Sequence, residues 1–355
     1  MNERENMLSI AGRRGFERVP VFLDMCPVIQ KKLSDYLKTH DFEIPESQVN
    51  LPGISMKRSE DSWFLENCYR EKSFKAGTDI NAWGVAHEPG SKYAYHMTYM
   101  HHPMENFDSP EQVKEYPFPV LNAGEDLPNL TRFAADAHKK GLFVLGNMQC
   151  TVWERAWYMR GMENLMCDMM EENEIAEVLL DTVTDFAVLQ AETYVRAGAD
   201  GLFLGDDIGM QRTIMMSEPL YRAWLQPRLK RVIDAARAIK KDIVIFYHSC
   251  GHVTELIPNL IEAGIDVLNP IQPEAMDFPS VFEAFHDRLS FHGTIGTQSV
   301  MPFGTPEDVR RAVFEHLDLA GKKGGLFVCP THMLEPEVPL ENVLAYVQAC
   351  KDYTK

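Results

Sequence analysis

From about residue 140 to its C-terminus, the sequence alternates short apolar, β-branched runs with longer amphipathic stretches. This alternation predicts strands connected by helices, and therefore a parallel sheet. The strand candidates in this part of the chain are residues 142–145, 201–204, 243–247, 267–269, 289–292 and 326–328. Two earlier candidates, residues 19–23 and a weaker one at 77–83, bring the number close to the eight strands of a (β/α) barrel.

The favoured fold is therefore an α/β fold of the (β/α)8 TIM barrel type, and an open doubly wound sheet is the alternative. No GxGxxG fingerprint follows a strand, although doubly wound nucleotide-binding sheets carry one. A length of 355 residues fits one domain, residues 1–355. Residues 30–130 are rich in proline, histidine and tyrosine, and we expect them to form an irregular N-terminal section of helices and loops over the barrel mouth.

Charge and hydropathy narrow the function classes. The chain has 52 acidic and 35 basic side chains and a net charge of -17, which disfavours binding to nucleic acid or to anionic membranes. No segment approaches the roughly 18–20 apolar residues of a membrane helix, and the N-terminus lacks the apolar core of a signal peptide. We therefore expect a cytoplasmic protein that acts on small molecules or with protein partners. Its seven dispersed cysteines fit free thiols.

Ligands of parallel α/β folds bind at the carboxyl ends of the strands, so the residues that follow each predicted strand are candidate site residues. Most of these residues are polar or able to bind a metal. They include Asn147, Asp206, Asp207, His248, Cys250, Gln272, Cys329 and His332.

His248 and Cys250 are separated by one residue at the end of a predicted strand, which places both side chains on one face of extended chain. Imidazole and thiolate are ligands that zinc prefers, and a third ligand can come from a distant strand end. Cys329 and His332 are the candidates for that third position. The alternative is a structural histidine beside an inert core cysteine.

Asp206 and Asp207 follow another predicted strand. Adjacent carboxylates there could position a substrate, transfer a proton or bind zinc. Alternatively, one of them caps the following turn and the other faces solvent. Arg155 could bind an anionic substrate or be a solvated helix residue.

Several ordered motifs resemble the uroporphyrinogen decarboxylase superfamily: YHSCG at 247–251, GIDVLNPIQP at 264–273, GTQ at 296–298 and VPLEN at 338–342. The resemblance runs from about residue 140 to the C-terminus and is looser at 18–22 and 81–85. It implies a (β/α)8 barrel with one of two chemistries. One branch consists of cofactor-free decarboxylases that hold a porphyrinogen with an arginine-rich N-terminal loop and an aspartate. The other consists of cobamide-dependent methyltransferases that bind zinc through His-x-Cys and a later cysteine.

This sequence departs from the decarboxylase pattern at residues 22–27, FLDMCP, which contain no arginine pair. It retains His248-x-Cys250, whereas the later cysteine of the methyltransferases aligns with His332 and Cys329 lies three residues earlier. The resemblance therefore implies a zinc-dependent methyltransferase that moves a methyl group between a small thiol, alcohol or methyl ether and the cobalt of a corrinoid (cobalamin).

In this interpretation Asp206, Asp207 and His332 are catalytic. The substrate-binding residues would be Asn147, Arg155, Gln272 and Asp79. The corrinoid is expected on a separate carrier protein, since the Asp-x-His-x-x-Gly signature of such carriers is missing here. The chain could also form a homodimer.

Two other functions remain open. A metal-independent decarboxylase would use Asp79 or Asp207, together with His332, for proton transfer. A non-catalytic member of the superfamily would only bind a corrinoid or another tetrapyrrole.

Overall fold

The computed structural model describes residues 1–91, 98–321 and 324–353. Its strands are β1 (Gln48–Asn50), β2 (Met56–Lys57), β3 (Asp79–Ile80), β4 (Ala86–Glu88), β5 (Tyr99–His101), β6 (Val120–Leu121), β7 (Phe143–Gln149), β8 (Gly201–Gly205), β9 (Val244–His248), β10 (Val267–Asn269), β11 (Ser290–His292) and β12 (Leu326–Phe327).

The helices are α1 (Glu3–Ala11), α2 (Pro27–Leu37), α3 (Asp61–Asn67), α4 (Pro110–Glu115), α5 (Ala123–Lys139), α6 (Trp153–Arg160), α7 (Met162–Met170), α8 (Glu174–Ala197), α9 (Glu218–Trp224), α10 (Gln226–Ile239), α11 (Ile257–Ala263), α12 (Phe278–Phe285), α13 (Val300–Phe303), α14 (Pro306–Ala320) and α15 (Leu340–Tyr353). Within the described ranges, none of them is long and apolar enough to cross a membrane.

The principal sheet has seven strands in the order β1, β7, β8, β9, β10, β11, β12, and every neighbouring pair is parallel. This confirms the predicted α/β fold with a parallel sheet. The sheet is curled, because the ring of Phe246 on β9 lies 5.6 Å from that of Phe327 on β12 although two strands separate them. A closed barrel of eight strands stays a prediction.

The N-terminal strand predictions were wrong in their positions. The first strand of the parallel sheet is β1, inside the section predicted to be irregular. Residues 19–23 do not form a ladder, and Pro20 explains this because proline has no N–H to donate. Of residues 77–83, only β3 is a strand, and it pairs antiparallel with β4.

An apolar layer fills one end of the curled sheet. Helix α1 contributes Met7 and Ile10 to this layer, which also contains Phe143, Phe246 and Phe327 from the strands. Because side chains alternate along a strand, β7 directs Leu145, Asn147 and Gln149 to the interior and packs Val144 and Met148 outwards. The interior therefore changes from apolar to polar toward the carboxyl ends of the strands.

Residues 30–130 contain regular elements as well as loops, among them α2, α3, α4 and the small sheets β2–β6 and β3–β4–β5. The two small sheets are antiparallel. That this section covers the mouth of a barrel stays a prediction.

Candidate metal centre

Three side chains converge at the carboxyl ends of β8 and β9. Within the part of the chain that the structure describes, Asp207, His248 and Cys250 place one ligand atom each within 4.8 Å of one another. The Nε2 atom of His248 lies 3.4 Å from Cys250 Sγ and 3.5 Å from Asp207 Oδ1. A tetrahedral zinc ion with ordinary bond lengths separates its sulfur and nitrogen ligands by about 3.6 Å, and nitrogen and oxygen by about 3.3 Å. Both distances from His248 Nε2 are therefore close to those between two ligands of one zinc ion.

Close packing of β8 against β9 brings these residues together. Gly205, the last residue of β8, is in register with His248, and a Cβ atom on Gly205 would lie 2.5 Å from His248 Cβ. Only glycine fits there, so the chain after β8 stays close to β9. The Cys250 N–H then donates to Asp207 Oδ1 over 2.7 Å, which ties the two strand ends together.

A neighbouring amide fixes the tautomer of His248. Asn269 Nδ2 lies 3.1 Å from the backbone oxygen of His292, which can only accept a hydrogen bond, so the orientation of the amide is determined. Asn269 Oδ1 therefore faces His248 Nδ1 at 2.6 Å, and that nitrogen must carry the proton. The lone pair of His248 is left on Nε2, the atom that faces Cys250 and Asp207. An oriented imidazole of this kind is typical of metal ligands.

Acidic groups surround the three ligand atoms. Burial, and then the charges of Asp207 and Asp206, raise the pKa of Glu154 to about 8. Burial also raises the pKa of the Cys250 thiol, and Asp207 and Glu154 raise it further. A divalent cation would reverse this effect, because it stabilises the thiolate and the carboxylates that oppose one another in its absence.

A cavity of about 790 Å³ opens beside this group, and His248 lines it. The cavity occupies the polar end of the sheet interior, and Asn147 and Asn269 line its wall. Cys329 and His332, the predicted third ligands, also line it.

Cys329 and His332 lie beside the three-residue group and not within it. The ring centroids of His332 and His248 are 6.3 Å apart. Cys329 is buried, and its Sγ lies 3.5 Å from His292 Nδ1. The side chain of Asn269 lies between His292 and His248 and contacts both rings. That Cys329 or His332 is the third zinc ligand stays a prediction.

Asp206 and Gln272 lie close to the centre but bind backbone groups. The buried carboxylate of Asp206 accepts hydrogen bonds from the N–H groups of Val152 and Glu154 at the start of α6, over 3.1 and 3.0 Å. Gln272 Oε1 accepts from the Gly251 N–H over 3.1 Å. Both contacts support the loops that carry Asp207 and Cys250.

Arg155 and Asp79 are not among the side chains that line the cavity. The Arg155 guanidinium lies 4.9 Å from the ring of Trp83 and 5.0 Å from that of Phe186. Asp79 is exposed on β3 of a small antiparallel sheet. Their predicted substrate contacts stay predictions.

The sequence reasoning missed Asn269, His292 and Glu154. His248, Asn269 and His292 end three consecutive strands, and Asn269 is in register with His248. For Asn269 and His292, the signal in the sequence is a polar residue at the end of an apolar strand.

A comparison with protein families identifies the family of the chain. Residues 93–353 match the family model described as "Uroporphyrinogen decarboxylase (URO-D)". The chain belongs to this family. The resemblance in the sequence motifs is thereby confirmed.

Within the uroporphyrinogen decarboxylase family, curated relatives include both chemistries. The chain is 28% identical over 204 residues to "Methylated-thiol--coenzyme M methyltransferase" of Methanosarcina mazei, covering 56% of this chain and 50% of the relative. It is 25% identical over 185 residues to "Methylcobamide:CoM methyltransferase MtaA" of Methanosarcina barkeri, covering 52% and 51%. It is 22% identical over 186 residues to "Uroporphyrinogen decarboxylase" of Coxiella burnetii, covering 52% and 50%. The chain spans about half the length of the curated relatives it matches.

A solved "methyltransferase from Methanosarcina mazei" superposes over 100% of both chains with a TM-score of 0.65 at 17% identity. At that identity the likeness concerns the fold alone.

Proposed function

We propose that this protein is a zinc-dependent methyltransferase that moves a methyl group between a small substrate and the cobalt of a corrinoid held by a separate protein. The convergence of His248, Cys250 and Asp207 carries the proposal: their ligand atoms lie within 4.8 Å of one another, and the two distances from His248 Nε2 are close to those in tetrahedral zinc sites. The names of the methyltransferase relatives support the choice of reaction.

Each side chain of the centre has a role in this proposal. His248, Cys250 and Asp207 would hold the metal, and Asn269 would orient His248 through its Nδ1 proton. The set of one nitrogen, one sulfur and one oxygen leaves a fourth position for a substrate. A zinc ion held by these three side chains would act as a Lewis acid on the sulfur or oxygen atom of that substrate.

The cavity is the proposed substrate site. Asn147 lines it, and the amide can donate and accept hydrogen bonds.

Asp207 and Asp206, which were predicted to be catalytic, differ in their contacts. The Asp207 side chain is partly exposed beside His248, whereas Asp206 is buried against backbone N–H groups. We therefore assign the metal to Asp207 and a positioning role to Asp206.

A porphyrinogen decarboxylase is less well supported by the cavity. The segment that the family resemblance associates with arginine-rich porphyrinogen binding lines this cavity with Asp24 and the neighbouring residues Phe22 and Met25. The carboxylate of Asp24 would repel the acidic side chains of a porphyrinogen.

The proposal can be tested with purified protein in two mixtures: methylcobalamin with a series of thiols and alcohols as methyl acceptors, and cob(I)alamin with a series of methyl ethers as methyl donors. We expect about one zinc ion per chain from the three-ligand group, and a change in the cobalt spectrum as methyl is transferred. Cys250→Ser should remove both. Cys167→Ser is the matched control, because Cys167 is an exposed free cysteine. A protein that holds no zinc, or a Cys250→Ser variant with full activity, would refute the proposal.

A further inference from the structure

The cavity beside the proposed metal centre is large enough for more than a metal-bound atom. Its volume of about 790 Å³ lies within the range of roughly 300–1,000 Å³ that is usual for small-molecule sites. His248 belongs both to the cavity wall and to the three-residue group. A molecule in the cavity would therefore reach the metal centre.

The charged groups of the cavity wall are acidic. Asp24 and Glu46 line the cavity and are exposed to it, and no lysine or arginine occurs among the described residues of its wall. The net charge of -17 on the whole chain has the same sign as the two carboxylates. Together these charges disfavour an anion in the cavity.

Neutral hydrogen-bonding groups form much of the remaining wall. Four residues with amide side chains line the cavity from two paired strands: Gln48 and Asn50 on β1, and Asn147 and Gln149 on β7. Amides bind hydroxyl, carbonyl and amine groups without requiring a charge on the ligand. The ring of Phe203 adds an apolar surface.

We propose that the substrate whose methyl group is donated or accepted in this cavity carries no net negative charge: it is an uncharged or cationic polar molecule held by hydrogen bonds to the amides of β1 and β7. This inference rests on the proposed methyltransferase function and specifies its substrate class. Asp24 and Glu46 act as specificity residues that exclude anions.

Three thiols of equal length test the charge preference directly. The metal-free protein is loaded with cobalt(II), whose visible spectrum reports the ligands, and is titrated with 2-mercaptoethanol, 2-aminoethanethiol and 2-mercaptoethanesulfonate. Each affinity is expressed against the thiolate concentration, which removes differences in thiol pKa. We expect the sulfonate to bind about tenfold more weakly than the other two, which corresponds to about 1.4 kcal/mol.

The double variant Asp24→Asn, Glu46→Gln should bring the sulfonate to within about threefold of the neutral thiol, because it removes both carboxylates that repel the sulfonate. Asp136→Asn is the matched control, since Asp136 is an exposed carboxylate that does not line this cavity. It should leave the preference unchanged.

The outcomes separate this inference from the function on which it rests. An intact cobalt spectrum with the sulfonate as the tightest thiol, or a preference that the double variant does not alter, would overturn the inference alone. So would an intact spectrum that no thiol perturbs, because the cavity would then not lead to the metal. A protein that gives no thiolate-ligated cobalt spectrum would refute the proposed centre and the inference together.

Discussion

His248 donates its Nδ1 proton to Asn269 Oδ1 over 2.6 Å, so the residue that ends β10 holds the imidazole that ends β9. The amide is itself fixed by two hydrogen bonds from Nδ2, over 2.7 Å to His292 Nδ1 and 3.1 Å to the His292 carbonyl oxygen. One side chain thus sets the direction in which His248 presents its lone pair.

Replacing Asn269 should weaken metal binding without removing a ligand. We expect Asn269→Ala to lower zinc affinity by about 10- to 100-fold, the usual effect of losing the partner that orients a histidine ligand. Competition with a chromophoric chelator measures the affinity. Asn147→Ala is the control, because Asn147 lines the cavity but does not contact His248 in the hydrogen-bond network. Equal zinc affinity of the two variants would contradict the role of Asn269.

The loss of zinc affinity should be larger for variants of residues that lie closer to the proposed metal centre. Asp207→Ala should lower zinc affinity by more than the roughly 10- to 100-fold expected for an orienting partner. His332→Ala should have a smaller effect, because its ring centroid is 6.3 Å from that of His248. Cys329→Ser should have the smallest effect, because Cys329 Sγ contacts His292.

The same chelator assay gives all three values. A loss for Cys329→Ser that exceeds the loss for Asp207→Ala would replace Asp207 by Cys329 in the ligand set. The largest loss for His332→Ala would assign the third position to that histidine.

Asp206 should matter for stability more than for metal binding. Asp206→Ala would leave the buried N–H groups of Val152 and Glu154 without their acceptor, and each unsatisfied buried group costs about 1–3 kcal/mol. We expect urea denaturation of the metal-free protein to show a loss of about 2–6 kcal/mol for the two groups together. Asp136→Ala, at an exposed position, should change stability by no more than about 0.5 kcal/mol. Unchanged stability with lost activity would instead favour the predicted catalytic role of Asp206.

His292 should make stability depend on pH in a defined window. Its pKa falls from the ordinary 6.5 to about 3 in the folded protein, chiefly because the ring is buried. Below pH 6.5 this histidine binds a proton in the unfolded chain but not in the folded chain. The contribution of His292 to the free energy of unfolding is therefore fully present above pH 6.5 and is lost as the pH falls toward 3. The loss is about 1.4 kcal/mol for each pH unit in that window.

The matched variant is His292→Gln, which keeps an acceptor for Asn269 and removes the titrating ring. We expect wild type to lose stability relative to this variant between pH 6.5 and 4.5, in chelator-treated protein followed by urea denaturation. A difference that is constant with pH would show that His292 does not titrate in this way.

Parts of the site followed from the sequence because they depend on local geometry. His248 and Cys250 lie two residues apart at a strand end, and this spacing alone predicts that they share a face. Asp207 follows β8, and Gly205 of β8 pairs with His248. Its position was predictable once consecutive strands were assumed to be neighbours.

Other parts depend on contacts between distant segments. Asn269 and His292 belong to strands of three residues, and register with their neighbours determines which groups they face. Strand β1 is equally short, and its pairing with β7 nearly a hundred residues later defines it. Such short runs carry no periodicity of their own.

X-ray absorption at the zinc K-edge of the purified protein tests the proposed metal centre most directly. The ligands His248, Cys250 and Asp207 predict a four-coordinate ion with one sulfur neighbour at about 2.3 Å and nitrogen or oxygen neighbours at about 2.0–2.2 Å. The zinc signal, and its sulfur neighbour with it, should be lost in Cys250→Ser and persist in Cys167→Ser. A protein without zinc, or a zinc ion with only nitrogen and oxygen neighbours in the wild type, would contradict the proposed metal centre.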